Sequence, residues 1–147
     1  MKKKTNLFLS VIFLFQSILS FAQKKDELAI REILINQTEA WNSGELDSFM
    51  KGCWQNDSLK FIGNSGITYG WKQTLENYKN NYPDTAAMGK LTFDILKTER
   101  LSALYFFVIG KWHLTRSIGD LNGYFTLLFK KKTTNGLLWR TIAAKHI

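Results

Sequence analysis

The sequence predicts a single α+β domain in which helices come first and strands follow. Up to about residue 82, apolar residues recur at helical spacing, interrupted by one short hairpin. After about residue 90 they alternate with polar residues, as in half-buried strands. Helices grouped ahead of strands are typical of an α+β arrangement. The chain has no internal repeat and no linker rich in Pro, Gly or Ser, so one domain is expected.

The first residues have the composition of a secretory signal peptide. Lys2 to Lys4 form a positive start, an apolar run over Leu7–Phe21 follows, and Ser20–Ala22 offers small residues where a signal peptidase reads them. A membrane anchor is the alternative, but the run is shorter than the roughly 18 apolar residues of a spanning helix. We therefore predict a signal peptide over 1–22, cleavage after Ala22, and an exported domain over 23–147. That domain is periplasmic or secreted and keeps no stable membrane anchor.

Two helices are predicted at the start of the domain. The first covers Asp26–Asn42, because an acidic first turn and Gly44 beyond the end are typical helix boundaries. Its apolar face consists of Ile30, Ile33, Leu34, Gln37 and Trp41. A second, short helix over Glu45–Lys51 has Leu46, Phe49 and Met50 as its apolar side.

A small hairpin and a third helix are predicted next. Ser58–Ile62 and Ile67–Tyr69 form two short strands around a turn at Gly63–Gly66. The helix runs from Trp71 to Tyr82 and ends there, because the residue before Pro83 disfavours helical geometry. Its aromatic and apolar residues lie four, three and four positions apart and share one face, which we expect to turn inward: Trp71, Leu75, Tyr78 and Tyr82.

The last third of the chain is predicted to be a sheet. Leu91, Phe93 and Ile95 alternate with polar neighbours, and a long strand covers Ala103–Thr115. Gly123–Lys131 and Leu137–His146 form a hairpin through the turn dipeptide Asn135-Gly136. These strands predict one strongly curved antiparallel sheet, with the helices folded across its concave face.

Composition argues against several functions. Three of the eight excess positive charges belong to Lys2 to Lys4, and Lys130–Lys132 lies beside the predicted turn as a solvated hairpin end. No nucleic-acid partner is therefore predicted. Cys53 is the only cysteine, so no internal disulfide is possible, and we expect it to be a buried small hydrophobe. Two histidines, one cysteine and the absence of a phosphate-binding glycine loop predict no metal site and no cofactor.

Several segments in succession resemble a known family. They are "EAWNSGELDSFM" (Glu39–Met50), "FIGNSGITYGW" (Phe61–Trp71), "NYPD" (Asn81–Asp84), "VIGKWHLTR" (Val108–Arg116) and "GYFTLLFKK" (Gly123–Lys131). Their order is similar to that of the SnoaL-like branch of the nuclear transport factor 2-like superfamily, and most like its small exported members of unknown function in Bacteroidota. The resemblance covers essentially the whole domain.

The resemblance implies a fold more strongly than a reaction. It implies a cone-shaped half-barrel, in which a strongly curved mixed or antiparallel sheet carries helices on its concave face. It also implies a pocket between helices and sheet, and often homodimers built on the outer sheet face. The superfamily includes ketosteroid isomerase, scytalone dehydratase, polyketide cyclases, subunits that only dimerise and pure binding domains, so the fold does not fix the activity.

Aromatic side chains are the candidates for lining that pocket. Rings with a polar tip suit a small amphipathic ligand, and plain core packing is the alternative for each of them. The set consists of Trp41, Trp54, Phe61, Tyr69, Trp71, Tyr78, Phe93, Trp112 and Tyr124. Tyr69 and Trp112 are preferred, because they lie where strands of the resembled fold face the pocket. Arg116 is a candidate clamp for a ligand carboxylate, with a solvated strand end as the alternative.

Asp57 and His146 are the candidate catalytic residues. Enzymes on the resembled fold need a buried carboxylate or histidine tuned toward neutrality. Asp57 precedes the first strand, near where some relatives place a carboxylate, and an ordinary turn aspartate is the alternative. Related exported sequences finish the last strand with an Asp-His pair. When the last strand is aligned on its tryptophan, Trp139, the two places of that pair hold Ala144 and Lys145, and His146 comes one residue late.

Three functions are compatible with the sequence. The first is an exported domain that binds a small apolar or aromatic ligand without a cofactor. The second is a cofactor-free lyase or isomerase that uses Asp57, His146 or Tyr69. The third is a dimeric interaction module whose pocket is filled by its own aromatic side chains. The sequence favours the first, because the inward aromatic set is clear and no acid-base pair is, and it leaves open whether the protein is an enzyme.

Overall fold

The computed structural model describes residues 23–63, 66–132 and 138–146, with side chains described up to Lys131. The predicted signal peptide over 1–22 and the predicted Asn135-Gly136 turn lie outside the described residues. The helices are α1 (23–42), α2 (Leu46–Phe49, continued by a 3-10 turn over Met50–Gly52), α3 (Trp71–Asn81) and α4 (Thr85–Met88). The strands are β1 (Lys60–Gly63), β2 (Gly66–Tyr69), β3 (Lys90–Arg100), β4 (Tyr105–Thr115), β5 (Leu121–Lys132) and β6 (Leu138–His146).

The predicted α+β order is confirmed, with strand and helix boundaries close to those expected. The apolar face predicted for α1 is turned inward, with Ile30, Leu34, Gln37 and Trp41 buried. One element was not predicted: the single helical turn of α4. It begins where the Asp84 carboxylate accepts a hydrogen bond from the Ala87 backbone N–H at 2.8 Å, and it buries Met88. No helix in the described part of the chain is long and apolar enough to cross a membrane.

The six strands form one mixed, curved sheet in the order β2-β1-β6-β5-β4-β3. Every neighbouring pair is antiparallel except β1 and β6, which are parallel. The register shifts between Ile95 and Lys97 in β3, and between Leu128 and Phe129 in β5. Such bulges bend a strand and increase its twist, which gives the sheet the concave face of an open half-barrel rather than a closed one.

The inner face of the sheet forms the core beneath α1. Phe106, Val108 and Gly110 of β4 lie opposite Phe129, Leu127 and Phe125 of β5, and all six are buried. Ile30 and Leu34 of α1 pack on this surface. A second buried cluster lies between α2, α3 and the far end of the sheet, with Trp41, Phe49, Met50, Leu75, Leu91 and Leu114 among its members. The candidate site lies between this second cluster and the sheet.

Candidate ligand-binding cavity

A cavity of about 460 Å³ opens between α3 and the concave face of the sheet. Most of its lining is aromatic or aliphatic: Trp41, Phe49, Phe61, Tyr78, Tyr82, Leu91, Phe93, Trp112, Leu114 and Leu121. Polar lining comes from Thr74, Asn77, Asn81 and Asn122. A smaller inner lobe of about 40 Å³ shares Phe49, Phe61, Thr74, Tyr78 and Phe93 with the main cavity and continues it toward Gln37 and Cys53.

The helical wall of the cavity is a fixed group of aromatic rings. Trp41 meets Phe49, Tyr78 and Tyr82 edge-on, with ring centroids 5.1, 5.9 and 4.8 Å apart. The Trp41 indole N–H donates to the Met88 carbonyl at 3.1 Å. Edge-to-face contacts and a satisfied indole hold each ring in one orientation, so this wall is preorganised.

The sheet wall comes from the inward rows of β3 and β4. Leu91 lies opposite Leu114, and Phe93 lies opposite Trp112. Directly opposed residues of an antiparallel pair project from the same face, so these four side chains form one apolar surface. Leu121 extends that surface to the mouth of the cavity, since it is the register partner of Leu114 in β5.

Beside the lining residue Leu121, the β4–β5 turn is connected to the turn of α4. The Arg116 side chain joins them, because its Nε donates to the Gly119 carbonyl at 2.7 Å and its Nη1 to the Ala87 carbonyl at 3.4 Å. Asp120 accepts a hydrogen bond from the Arg116 backbone N–H at 2.9 Å. This bond, and then the contact with His113, hold the pKa of the Asp120 carboxyl below its usual value.

The inner lobe ends at buried polar groups that are not charged. The Gln37 amide donates to the Phe49 carbonyl at 3.0 Å and lies 3.9 Å from the Cys53 sulfur. Burial raises the pKa of the Cys53 thiol to about 12, against a smaller lowering from the Gln37 hydrogen bond. Burial likewise raises the pKa of Tyr78 well above its usual value, with smaller contributions from Cys53 and Tyr82. Thiol and phenol are therefore both protonated at neutral pH, and Cys53 is a poor nucleophile.

The structure brings four of the predicted ligand-binding residues together on the cavity. Trp41, Phe61, Tyr78 and Trp112 all line it, and they come from α1, β1, α3 and β4. Phe93, which the sequence placed in the same aromatic set, lines it as well. Side chains from separate elements thus line one cavity.

The prediction that Tyr69 and Tyr124 lie in the interior was wrong, because each side chain belongs to the outward-facing row of its strand. Tyr69 is 60% exposed, and its partner in β1 is the exposed Lys60. The inward residue of β2 is its neighbour Thr68, whose hydroxyl accepts a hydrogen bond from Asn77 on α3 at 3.1 Å. Side chains alternate along a strand, so a one-residue error exchanges the two faces.

Tyr124 shows the same error in β5. It is 51% exposed and lies opposite Lys111, whose ammonium group is 5.3 Å from the centre of the tyrosine ring. The inward positions on either side of it are Gly123 and Phe125. Trp112, which lies opposite Gly123, is the inward aromatic residue at this level of the sheet.

Trp54 and Trp71 pack beside the second core cluster and do not line either lobe. The Trp71 indole N–H donates to the Met50 carbonyl at 2.8 Å, so this ring joins α3 to the end of α2. Arg116 lines neither lobe, and the contacts described above make it a link between two turns. These three side chains support the walls of the cavity from behind or beside it.

The two catalytic candidates are not brought together in the described structure. Asp57 lies exposed in the turn before β1 and lines neither lobe. The backbone of His146 pairs with Phe125 at the end of β6, and its side chain lies outside the described residues. Among the described side chains, no Asp, Glu or His lines the cavity, and no group of three or more His, Cys, Asp or Glu is placed to hold a metal ion.

The polar lining of the cavity was not predicted from the sequence. Asn77 and Asn81 flank the inward Tyr78 on α3, so the helical period could have placed them at the edge of the same face. Gln37 could have been found too, because it is the one polar residue on the apolar face of α1. Leu121 and Asn122 gave no such signal, since their place at the mouth depends on where the β4–β5 turn ends.

Comparison with solved structures gives close similarities. The structure of an NTF-2 like protein of unknown function from Shewanella oneidensis MR-1 matches with a TM-score of 0.75 and 39% identity, over 80% of this chain and 95% of that one. A ketosteroid isomerase-like protein from Erwinia carotovora atroseptica matches with a TM-score of 0.60 and 16% identity, over 82% of this chain and 95% of that one.

A third similarity is to a putative calcium/calmodulin-dependent protein kinase type II association domain from Thiobacillus denitrificans. It has a TM-score of 0.63 and 17% identity, over 78% of this chain and 90% of that one. At such identities the likeness concerns the fold alone. No protein-family model and no curated protein matches the sequence.

Proposed function

This chain belongs to the nuclear transport factor 2-like family, and we propose that it is a small-molecule-binding domain that holds its ligand in the cavity between α3 and the sheet. The observation that carries the proposal is the cavity itself. Its volume of about 460 Å³ falls in the range of roughly 300–1,000 Å³ that is usual for ligand pockets. Its lining is mainly apolar and aromatic with a few polar groups, which is also the usual composition of such sites.

An open cavity favours binding over the filled-pocket interaction module. In such a module, the protein's own inward aromatic side chains would fill the pocket. Here Trp41 and Trp112 lie on opposite walls, and the space between them is large enough for a molecule of several fused rings. No observation in the described residues favours a lyase or isomerase, since Asp57 and Tyr69 are both exposed. The part assigned to His146 stays a prediction.

We also propose that the protein is exported, as the sequence of residues 1–22 indicates. The expected product starts at Gln23 and is found in the periplasm or the medium. Cell fractionation followed by mass determination of the N-terminal peptide tests this directly. An intact Met1 in the membrane fraction would instead support the anchor, and an intact Met1 in the cytoplasm would oppose both.

A homodimer built on the outer face of the sheet is proposed as well. The outward row there contains Phe107 and Ile109 of β4 with Leu128 of β5, which are neighbours in register and remain partly exposed. Charged residues of both signs lie alongside, including Glu99 opposite Phe107 and Lys97 opposite Ile109. A self-complementary apolar patch with a charged border suits a two-fold interface.

The binding proposal is tested by blocking the mouth without touching the core. Leu121 lines the cavity and is 38% exposed, so Leu121→Trp adds bulk at the entrance. Ile118 belongs to the same turn but is 63% exposed and lines neither lobe, so Ile118→Trp is the matched control. Native mass spectrometry is run on wild type and both variants, each purified from the cells that make it.

We expect an added mass on the order of a few hundred daltons, as for a drug-sized ligand, in wild type and Ile118→Trp but not in Leu121→Trp. If no added mass is seen, the three proteins are screened by thermal shift against a broad set of small molecules. A wild type that gives no thermal shift in that screen, or a Leu121→Trp variant that binds as well as the control, would refute the cavity as the binding site.

A further inference from the structure

Tyr78 occupies the junction between the main cavity and its inner lobe, because it lines both. Its ring is held by Phe49, Phe61 and Trp41, with centroid distances of 5.3, 5.7 and 5.9 Å at steep interplanar angles. These three wall residues thus fix where the phenol hydroxyl lies. Within the described part of the chain, that hydroxyl has no hydrogen-bond partner.

The charge of the lining restricts what can enter. Among the described residues that line the two lobes, the one formally charged side chain is that of Lys60, which is exposed to solvent at the outer end of β1. Apart from the solvent-exposed Lys60, the described side chains of the lining offer an entering ion no counter-charge for the hydration that it would lose. The described lining therefore favours neutral molecules.

The two walls also restrict the shape of the occupant. Tyr78 of α3 and Tyr82, which directly follows the helix, stand on one side, stacked on each other with a centroid distance of 6.1 Å and an interplanar angle of 27°. Phe93 and Trp112 stand on the other side, on neighbouring strands in register. A flat aromatic ring between these walls meets aromatic surface on both of its sides, in stacked or edge-on contacts.

We propose, on the basis of the binding function above, that the ligand is a neutral planar aromatic compound with a carbonyl or ether oxygen that accepts a hydrogen bond from the Tyr78 hydroxyl. The ligand enters with this oxygen first and leaves any further polar group at the mouth, beside Asn81 and Asn122. The direction of the bond follows from burial, which keeps the pKa of Tyr78 far above neutral pH, so the hydroxyl keeps its proton and donates it.

Three matched probes test the proposal: acetylnaphthalene, ethylnaphthalene and naphthoate. They share one ring system and differ in having a neutral acceptor, no polar group, or a negative charge. Each is titrated into the purified full chain, with tryptophan fluorescence and calorimetry as readouts, since Trp41 and Trp112 line the cavity. The variants are Tyr78→Phe, Tyr82→Phe as a control that loses a phenol hydroxyl from the same cavity, and Leu121→Trp as a blocked mouth.

We expect wild type to bind acetylnaphthalene about three- to tenfold more tightly than ethylnaphthalene, the usual net effect of one hydrogen bond. Tyr78→Phe should abolish this preference without changing the affinity for ethylnaphthalene, and Tyr82→Phe should keep it. Naphthoate should bind about a hundredfold more weakly than acetylnaphthalene or worse. The comparison of the three probes in wild type is informative even if Tyr78→Phe fails to fold.

The two proposals fail in different ways. Equal binding of naphthoate and acetylnaphthalene, or an acetylnaphthalene preference that survives in Tyr78→Phe, would overturn the inference about ligand class. The binding function would stand in that case, provided that Leu121→Trp still blocks the probes. If no probe binds wild type, the inference about ligand class is overturned, and the binding function then stands or falls with the added mass or thermal shift that Leu121→Trp should abolish.

Discussion

Gly110 should not tolerate a side chain, because Phe125 occupies the space in front of it. A Cβ atom added at Gly110 would lie 2.4 and 2.7 Å from two ring carbons of Phe125, and 2.8 Å from the backbone oxygen of Asp94. Comfortable carbon contacts are about 3.5–4.0 Å, so the ring would have to move by roughly 1 Å. The ring has little free space in which to do so, since Phe125 is buried, meets Phe93 edge-on at 5.1 Å and borders only the inner lobe of about 40 Å³.

We expect Gly110→Ala to lower the free energy of unfolding by about 3 kcal/mol, the upper end of the usual cost of overpacking. The upper end applies because one of the clashing atoms is backbone of β3, which cannot shift without disturbing the β3–β4 pairing. With a urea slope of about 2 kcal/mol per molar, the unfolding midpoint should fall by about 1.5 M. Urea titration followed by circular dichroism and by fluorescence measures it.

The matched control is the double variant Gly110→Ala with Phe125→Leu. If the clash is with the Phe125 ring, the smaller side chain relieves it, and the double variant should be at least about 1 kcal/mol more stable than the sum of the single effects predicts. A Gly110→Ala variant within about 0.5 kcal/mol of wild type would show that these two residues do not face each other. The β4–β5 register, and with it the sheet wall of the cavity, would then be wrong.

Three further predictions concern Cys53, Trp41 and the outer sheet face. Because the folded Cys53 thiol has a pKa of about 12, the unfolded chain ionises first, so stability should fall from about pH 9 upward by at most about 1.4 kcal/mol per pH unit. In pH-dependent urea titrations, Cys53→Ala should remove the loss that begins at about pH 9 and keep the loss above about pH 10 that comes from the buried Tyr78. Trp41→Phe removes the indole hydrogen bond to the Met88 carbonyl and should lower the free energy of unfolding by about 1 kcal/mol or more in the same titration. An unchanged unfolding midpoint would mean that the bond does not contribute to stability. Ile109→Lys places a charge in the outer apolar patch, so light scattering should show that it converts the proposed dimer to a monomer. The control Ile67→Lys, on an exposed edge strand, should leave the dimer intact. A wild-type monomer would refute the dimer.

The fold was predictable because its signals are local and periodic. The apolar face of α1 and the aromatic face of α3 follow from helical spacing, and both are turned inward in the structure. The alternation of Phe125, Leu127 and Phe129 places β5 on the core in the same way. The single turn of α4 was missed, since four residues carry no period and its Asp84 cap looks like an ordinary loop residue.

The site was only half predictable, because a pocket depends on which of two alternating rows faces inward. Trp112 was assigned to the correct row, and Tyr69 and Tyr124 to the wrong one, although all three belonged to the same predicted aromatic set. The deciding facts are register pairs such as Lys60 with Tyr69, which join residues from different strands. Composition and spacing within one strand do not contain that information.

The fixed Trp41 indole is one reason why the large aromatic set leaves a cavity instead of filling it. A ring that is free to rotate would move into nearby empty space, since every contact it gains is favourable. Trp41 is held back by its bond to the Met88 carbonyl, and Trp71 by its bond to the Met50 carbonyl at 2.8 Å. Both acceptors are backbone atoms of helical turns, so moving either ring inward leaves a buried carbonyl and an indole N–H without these bonds. The Trp41 ring, which lines the cavity, is therefore tied to its wall, and Trp71 is tied in the same way beside the cavity.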